Sequence, residues 1–421
     1  RPDFAEANSN LLFALHYDPE VSQERIFTES QAWWQMHGTV HFPEKSSHNG
    51  LKARQRLKVG YVSPDFREHS VSYFFKPLLE KHHPDAVETF CYADVKRPDA
   101  MTSRIKGLTD HWRSIEGWSD EDVARRIYKD RIDILVDLAG HTAHNRLLVF
   151  ARRPAPVQVT WLGYPDTTGM PVMDYRLTDD LVDPKGEADR FHTEKLIRLA
   201  HGFLCYEAPE GAGSVSSLPA LDRSGVCFGS FNYLPKVNEE VVRVWSKILK
   251  AVPSSRLLLK SRPLADKGVR SRYAELFNRW GVSPERIQFE AYSPTTQGHL
   301  SLYNRVDIGL DPFPYNGTTT TCEALWMGAP VVTLKGDRHS ARVGASILTR
   351  VGLHELICAT EADYVKKATE LAFDLTWLNA LRTQMRDRLS GSSLCDVVSF
   401  AETIESSYQA MWKARCGQES G

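Results

Sequence analysis

The chain of 421 residues has few cysteines, almost no net charge and no long apolar run. Its seven cysteines are scattered without a CxxC pair, which gives no zinc site and favours a reducing compartment. A formal net charge of −1 argues against nucleic acid and anionic membranes, which are bound by bulk charge. No stretch reaches the apolar length of a transmembrane helix, and no signal-peptide pattern opens the chain. We therefore expect a cytoplasmic protein (also nuclear, if eukaryotic) with no nucleic-acid or membrane partner.

Several motifs of common enzymes are also missing. No GxxxxGK[ST] loop is present, which excludes a P-loop NTPase, and no GxGxxG follows the first predicted strand, which argues against a nicotinamide dehydrogenase. The GxSxG motif of α/β-hydrolases is absent as well. No DxD pair follows a strand, since Asp120-Glu121-Asp122 lies at a predicted helix start. We predict neither a metal site nor a cofactor.

The apolar pattern predicts an α/β protein. With 42% hydrophobic and 25% charged residues, the chain is long enough for two domains. Nearly continuous apolar strands that alternate with amphipathic helices are typical of doubly wound parallel sheets. The predicted strands are 57–62, 87–93, 132–137, 157–162, 226–231, 256–260, 287–289, 308–310 and 331–333.

The same pattern predicts the domain limits. A helical N-terminal segment is expected over 1–50, with a polar linker at 44–54. Rossmann-like domains are expected over 55–205 and 225–395, followed by a C-terminal helix over 396–415. Ligands of open α/β sheets bind beyond the carboxyl ends of the strands, so the active site is expected in a cleft between the two domains.

The most informative segment is the run of four threonines, Thr318, Thr319, Thr320 and Thr321, at a strand-to-helix junction. A helix N-terminus presents unpaired N–H groups and partial positive charge, which suit a phosphate. Glu323 stands one helical turn after Thr320, where it can reach ribose hydroxyls. An ordinary N-capped helix is the alternative. Four consecutive hydroxyl side chains favour a nucleotide diphosphate.

Other polar side chains follow predicted strands, and each has a structural alternative. His69 is either a general base or phosphate contact, or else a capping histidine. Asp137 is either a base or, as is commoner, a cap of local backbone N–H groups. Lys236 either neutralises a leaving diphosphate or is a solvated surface lysine. His339-Ser340 is expected to start a helix over 341–349, either near the nucleotide or as an ordinary surface helix.

Together these motifs resemble the catalytic region of the O-GlcNAc transferase / SPINDLY family, from about Leu57 to Lys413. The residues of these motifs are more similar to the SPINDLY branch and its bacterial relatives than to the animal enzymes. The stretches that carry the resemblance are 60–66, 69–74, 133–143, 153–165, 229–232 with Lys236, and 311–326.

The resemblance implies a GT-B fold, with two Rossmann-like domains and the donor held mainly by the second. It implies an inverting, metal-independent glycosyltransferase that moves a sugar from a nucleotide sugar to Ser/Thr hydroxyls of a protein acceptor. The family usually carries tetratricopeptide repeats before this region, and residues 1–45 are interpreted as the connecting helices.

The resemblance also implies roles for individual residues. His69 corresponds to an active-site histidine, and Lys236 to the essential lysine on the diphosphate. His299 is placed near the base and Glu323 on the ribose. The family's disputed aspartate base falls in the region of Asp137 and Asp130. The remaining donor-binding residues are Thr318, Thr319, Thr320, Thr321, Asn232 and Tyr233, with Thr319 and Thr320 on the phosphates.

The donor stays open because the chain departs from the O-GlcNAc transferases at three positions. Tyr233 replaces a glutamine, and Thr296 and Leu302 replace a lysine and an arginine around the uracil. Both UDP-GlcNAc and GDP-fucose are therefore candidate donors. Two other functions remain as alternatives, namely a sugar-nucleotide 2-epimerase of GT-B fold and a non-catalytic sugar-nucleotide-binding adaptor.

Overall fold

The computed structural model describes residues 4–39 and 55–418. The predicted linker at 44–54 lies outside the described residues. The described chain divides into two compact units, the first formed by 4–15, 21–39, 55–207 and 396–418. The second unit contains 208–395 together with the short segment His16–Glu20.

Each unit is built on one parallel sheet. The strands are β1 Leu57–Ser63, β2 Val87–Ala93, β3 His111–Ser114, β4 Ile134–Asp137, β5 Val157–Thr160, β6 Tyr175–Thr178, β7 Lys195–Arg198, β8 Cys227–Ser230, β9 Arg256–Lys260, β10 Ile287–Glu290, β11 Ile308–Leu310, β12 Val331–Leu334 and β13 Ile357–Cys358. Within the described residues the first sheet has the order β3-β2-β1-β4-β5-β6-β7, and the second has the order β10-β9-β8-β11-β12-β13. Every pairing is parallel, so the predicted α/β fold with two Rossmann-like sheets is confirmed.

Helices connect the strands. They are α1 Ala5–Leu15, α2 Gln23–His37, α3 Ser72–Lys81, α4 Ala100–Leu108, α5 Asp120–Asp130, α6 Leu147–Ala151, α7 Glu239–Ala251, α8 Lys267–Arg279, α9 Thr296–Ser301, α10 Thr319–Trp326, α11 Val343–Arg350, α12 Glu361–Phe373, α13 Leu375–Ser390 and α14 Val397–Gln418. Side-chain caps define the starts of several helices. The Ser119 side chain accepts from the backbone N–H of Asp122 at the start of α5, and Asn238 accepts from Val241 at the start of α7.

The central strands are buried along most of their length, as expected for parallel sheets that helices cover on both faces. The C-terminal helix α14 completes the first unit. Its Tyr408 hydroxyl lies 3.3 Å from the Tyr61 hydroxyl of β1, and its Phe400 ring is 6.0 Å from the Trp161 ring. Among the described helices, none is both long and apolar enough to cross a membrane.

The strand order fixes where a ligand is expected in each unit. In the first sheet β1 lies between β2 and β4, and in the second sheet β8 lies between β9 and β11. The connections from two such adjacent strands leave in opposite directions, so a crevice opens beyond their carboxyl ends. Ligands are therefore expected at the β1–β4 junction of the first unit and at the β8–β11 junction of the second.

Candidate functional site

The β8–β11 junction collects most of the predicted donor-binding residues in the second unit. Asn232 and Lys236 follow β8, and the loop after β11 leads into α10. The two strands pair with Ile308 opposite Phe228. Sequence order alone placed these residues at strand ends, and the strand pairing brings the two strand ends side by side.

The threonine run does not present all of its hydroxyls in the same way. Thr318 precedes α10 and makes no side-chain cap, so it leaves the backbone N–H groups of the first turn uncapped. Thr320 is half-buried and donates its hydroxyl hydrogen to Asn232 Oδ1 at 3.0 Å. Thr319 and Thr321 are buried, and their hydroxyl oxygens have no partner among the described residues. Thr318 and Thr320 are therefore the more accessible pair.

Gly317 lies just before α10 and packs against the side chains of its first turn. A Cβ at this position would lie 2.6 Å from Thr320 Oγ1, 2.7 Å from Thr321 Oγ1 and 3.0 Å from Asn232 Oδ1. Its backbone N–H donates to Asp311 Oδ1 at 2.6 Å. Only glycine fits beside these three polar atoms, and the missing side chain leaves the backbone itself next to them.

Lys236, which follows β8, contacts the loop that leads into α10. Its Nζ donates to the backbone oxygen of Asn316 at 2.7 Å and sits 3.8 Å from the centre of the Tyr315 ring. Burial lowers the pKa of Lys236, and the charge of Asp311 opposes that shift. Burial in turn raises the pKa of Asp311, whose oxygens accept from Gly317 and from Thr333. Lys236 is thus a fixed cation and not a solvated surface lysine.

Glu323 and His299, predicted for ribose and base, are bonded to each other. His299 Nε2 lies 2.9 Å from Glu323 Oε2, and His299 Nδ1 lies 2.6 Å from Lys260 Nζ. An ammonium group can only donate, so Nδ1 accepts and Nε2–H donates to the glutamate. Tyr303 also donates to Glu323, at 3.4 Å. These bonds fix the orientation of the Glu323 carboxylate.

Sequence reasoning missed Lys260. The signal was present, because Lys260 is the last residue of β9, next to the central strand, and it closes an otherwise apolar run. Burial lowers the pKa of Lys260, and the nearby Glu323 and Glu290 carboxylates oppose the shift.

The positions predicted to depart from the O-GlcNAc transferases lie around the same edge of the sheet. Thr296 is the first residue of α9, and Leu302 follows the end of that helix. Tyr233 follows β8, is 56% exposed, and makes an edge contact with Tyr17 at 6.2 Å between ring centres.

The helix expected over 341–349 starts later than predicted. His339–Ala341 forms a 3-10 turn, and α11 begins at Val343. The N–H of Gly344 donates to Asn316 Oδ1 at 3.2 Å, and the backbone of Asn316 donates to Ser340. The start of α11 is therefore capped by the loop that precedes the threonine run, and not by Ser340.

In the first unit, the β1–β4 junction holds His69 and Asp137. His69 Nδ1 accepts from the N–H of Val71 at 3.3 Å and lies 3.6 Å from Asp65 Oδ2. Burial lowers the pKa of His69, the Asp65 charge opposes this shift, and the Arg67 charge adds to it. A neutral ring that accepts at Nδ1 carries its proton on Nε2, so His69 presents a donor to a ligand.

Asp137 has the geometry of a cap. It is 1% exposed, and its two oxygens accept from the N–H of Ala139 at 3.0 Å, the N–H of Gly140 at 2.8 Å and the hydroxyl of Thr160 at 2.8 Å. Burial raises the pKa of Asp137 to about 6, against the three hydrogen bonds. These contacts favour the structural alternative for Asp137.

Asp130 lies elsewhere. It ends α5, ahead of β4, and therefore sits at the amino edge of the sheet, opposite the β1–β4 crevice. Its carboxylate pairs with Arg113 and Arg126 and accepts from Tyr92. Its role is an ion pair that ties α5 to the sheet.

Among the residues that the structure describes, no group of three or more His, Cys, Asp or Glu side chains could hold a metal ion. The β8–β11 junction instead offers a cation and backbone amides, from Lys236 and the first turn of α10. Such an arrangement suits a diphosphate.

Comparison with known proteins adds a second line of observation. The model of glycosyl transferase family 41 matches residues 35–208 and 216–404. The probable UDP-N-acetylglucosamine–peptide N-acetylglucosaminyltransferase SPINDLY of Solanum lycopersicum is 42% identical over 99% of the chain and 45% of that protein. The corresponding enzyme SEC of Arabidopsis thaliana is 33% identical over 87% of the chain and 38% of that protein. The chain thus spans about half the length of the curated relatives it matches.

A solved structure is similar over nearly the whole chain. An O-GlcNAc transferase mutant from Thermobaculum terrenum is 38% identical, with a TM-score of 0.94, and the match covers 99% of this chain and 79% of that one.

Proposed function

Because the chain belongs to glycosyl transferase family 41, we propose that it transfers a sugar from a nucleotide sugar to serine or threonine hydroxyls of a protein acceptor. Membership confirms the predicted resemblance to the O-GlcNAc transferase / SPINDLY family and the predicted GT-B fold. The relatives are named for transfer of N-acetylglucosamine from UDP-N-acetylglucosamine to peptides. That donor is our first candidate, and GDP-fucose is the second.

One observation carries the proposal. Lys236, the uncapped first turn of α10 and the fixed Glu323 carboxylate all lie at the β8–β11 junction of a single unit. A cation and free backbone N–H groups suit a diphosphate, and an oriented carboxylate suits a ribose hydroxyl pair. A sugar nucleotide combines these features.

We derive the transfer step from these groups. The acceptor oxygen bonds to the anomeric carbon from the side opposite the diphosphate, and the bond from that carbon to the phosphate oxygen breaks. The electron pair leaves with the diphosphate, where the Lys236 ammonium and the α10 N–H groups stabilise the developing charge. The configuration at the anomeric carbon is inverted.

The acceptor proton needs a destination. Asp137 already accepts three hydrogen bonds, and His69 carries its proton on Nε2. We propose that His69, in the first unit, offers its Nε2–H as a hydrogen-bond donor to the acceptor. The acceptor proton then passes to a donor phosphate oxygen or to water. With Lys236 as the cation, the reaction uses no metal and no cofactor beyond the donor.

We also propose a cytoplasmic location. All seven cysteines are in the thiol state, and five of them are buried. Thiols of this kind suit a reducing compartment.

Thermal shift tests the donor site. UDP-GlcNAc, UDP, GDP-fucose and GDP are compared, since a ligand at about 100 times its Kd stabilises the folded state by about 2.7 kcal/mol. Either the two uridine ligands or the two guanosine ligands should raise the midpoint of thermal unfolding. Lys236→Met should reduce the shift that the preferred nucleoside diphosphate gives. If none of the four ligands shifts the transition, the donor assignment is wrong.

Product analysis separates the alternatives. A 2-epimerase would convert the sugar nucleotide without any acceptor, and a non-catalytic adaptor would bind the donor without transfer or hydrolysis. Transfer that requires a protein acceptor excludes both.

A further inference from the structure

The loop between α1 and α2 reaches the lysine of the proposed donor site. Its residues His16–Glu20 belong to the second unit, whereas α1 and α2 belong to the first. Tyr17 in this loop is stacked on Tyr315, with ring centres 5.3 Å apart and ring planes at 19°. Tyr315 is the ring over which the Lys236 ammonium sits, at 3.8 Å.

Tyr17 is held from its backbone as well. The Asn238 side-chain amide donates to the backbone oxygen of Tyr17 at 3.4 Å and to that of Phe313 at 3.0 Å. The oxygen of the same side chain caps α7 through Val241. Asn238 thus fixes Tyr17 to the two loops that carry Lys236 and Tyr315.

We propose that Tyr17 is a positioning residue for transfer, which acts on Lys236 through Tyr315. The stacked pair forms an aromatic wall that covers one side of the half-buried Lys236 and keeps its ammonium directed at the backbone oxygen of Asn316, beside the start of α10. A cation over an aromatic face is stabilised most where water is excluded. This inference rests on the proposed function, because it assigns Lys236 to the leaving diphosphate.

The aromatic wall should affect the pH at which Lys236 loses its proton. Burial lowers the pKa of Lys236, and the charge of the Asp311 carboxylate, in the loop after β11, opposes this shift. The titratable groups around this site also include the phenols of Tyr315, Tyr17 and Tyr233 and the ring of His16. The phenol of Tyr273 donates to the backbone oxygens of Leu234 and Val237, on either side of Lys236, and burial raises its pKa. Removing the Tyr17 ring admits water, so the pKa of Lys236 should rise toward the ordinary lysine value of about 10.4.

The rate should follow that shift. The charged lysine is present below its pKa, so kcat falls as pH rises through it. In Tyr17→Ala we expect kcat near neutral pH to drop about tenfold, because the ammonium is no longer held in place. The alkaline limb of the kcat profile should move to higher pH, and the KM for the donor should change little.

Two matched variants serve as controls. Tyr17→Phe keeps the stacked ring and should restore both kcat and the position of the alkaline limb. Phe27→Ala removes a ring of similar size from α2, where Phe27 meets Phe191 edge-on at 6.3 Å, and should leave the profile unchanged.

A second readout does not need turnover. Trace acetylation of Lys236 is followed against pH by mass spectrometry of its peptide, and the midpoint reports the pKa of this amine directly. Tyr17→Ala should raise that midpoint and Tyr17→Phe should not. An unchanged midpoint in Tyr17→Ala overturns the positioning role. If wild type transfers no sugar but the midpoints differ as expected, the aromatic wall stands and the proposed function fails.

Discussion

His141 should make the first unit sensitive to acid. Its ring Nε2 lies 2.9 Å from the backbone oxygen of Thr168, and Nδ1 lies 3.0 Å from Ser9 Oγ. A carbonyl can only accept, so Nε2 carries the proton and Nδ1 accepts from the serine hydroxyl. The side chain is fully buried, and this burial lowers the pKa of His141 from 6.5 to about 4.

The size of the effect follows from the two pKa values. Below pH 6.5 the unfolded chain binds a proton at this histidine, whereas the folded chain binds it only near pH 4 and below. The free energy of unfolding therefore decreases as the pH is lowered through this window. One pKa unit corresponds to about 1.36 kcal/mol, which gives a loss of about 2.5 kcal/mol between about pH 7 and about pH 4.5.

The variant His141→Gln isolates this group. The amide can donate to the Thr168 oxygen and accept from Ser9, as neutral histidine does, but it does not titrate. Urea unfolding of both proteins is measured at the two pH values. It is read by hydrogen exchange in peptides of the first unit, because a chain of two units need not unfold in one step.

Wild type should lose about 2.5 kcal/mol more than the variant on acidification. Equal losses in the two proteins would refute the reasoning, since they would mean that the buried ring either is already protonated at neutral pH or takes up its proton without cost.

Three further variants test the site. Gly317→Ala places a Cβ against Thr320, so donor Kd measured by calorimetry should rise at least about tenfold. The same crowding should cost about 1–3 kcal/mol of stability, so binding is measured well below the variant's melting temperature. An unchanged affinity would show that the donor does not approach the backbone at this position. Lys260→Met removes the partner of His299, so the Glu323 carboxylate that His299 holds can turn. The preference for a ribose over a 2′-deoxyribose nucleotide should then shrink by roughly fivefold. An unaltered preference would show that Glu323 does not bind the ribose. Asp137→Ala leaves buried donors unpaired, so it should lower stability by roughly 1–3 kcal/mol per donor with kcat largely kept when measured well below the melting point; a lost kcat with unchanged stability would make Asp137 the base instead.

The strands that could be predicted from sequence are the apolar, buried ones. The predicted strand 256–260 coincides with β9, and 87–93 coincides with β2. The missed strands are β3, β6, β7 and β13, which carry polar residues or are very short. In β6, Arg176 is buried because its guanidinium donates to the backbone oxygens of Asp166 and Tyr164. Such compensation depends on tertiary contacts that periodicity does not encode.

The site divides in the same way. Lys236 was predicted because it follows a strand end, and Glu323 because it stands one helical turn after Thr320, so local order was enough for both. The bond from Lys260 to His299 joins residues that are 39 positions apart, and the stack of Tyr17 on Tyr315 joins residues that are still farther apart in the sequence. The unequal burial of the four threonines was also beyond the sequence, since it depends on how α10 packs. The roles assigned to these residues in binding and catalysis remain predictions.

Transfer itself tests the central claim most directly. Purified protein is incubated with a mixture of candidate acceptor proteins and either UDP-GlcNAc or GDP-fucose, and the peptides are sequenced by mass spectrometry with fragmentation that retains the sugar. Lys236→Met is run in parallel, and its turnover should fall by about 10²–10³-fold, the loss that follows removal of one group stabilising transition-state charge. The account predicts one of the two sugars on serine or threonine side chains with wild type, and almost none with the variant. Equal modification by wild type and variant, or hydrolysis of the donor with no modified serine or threonine, would contradict it.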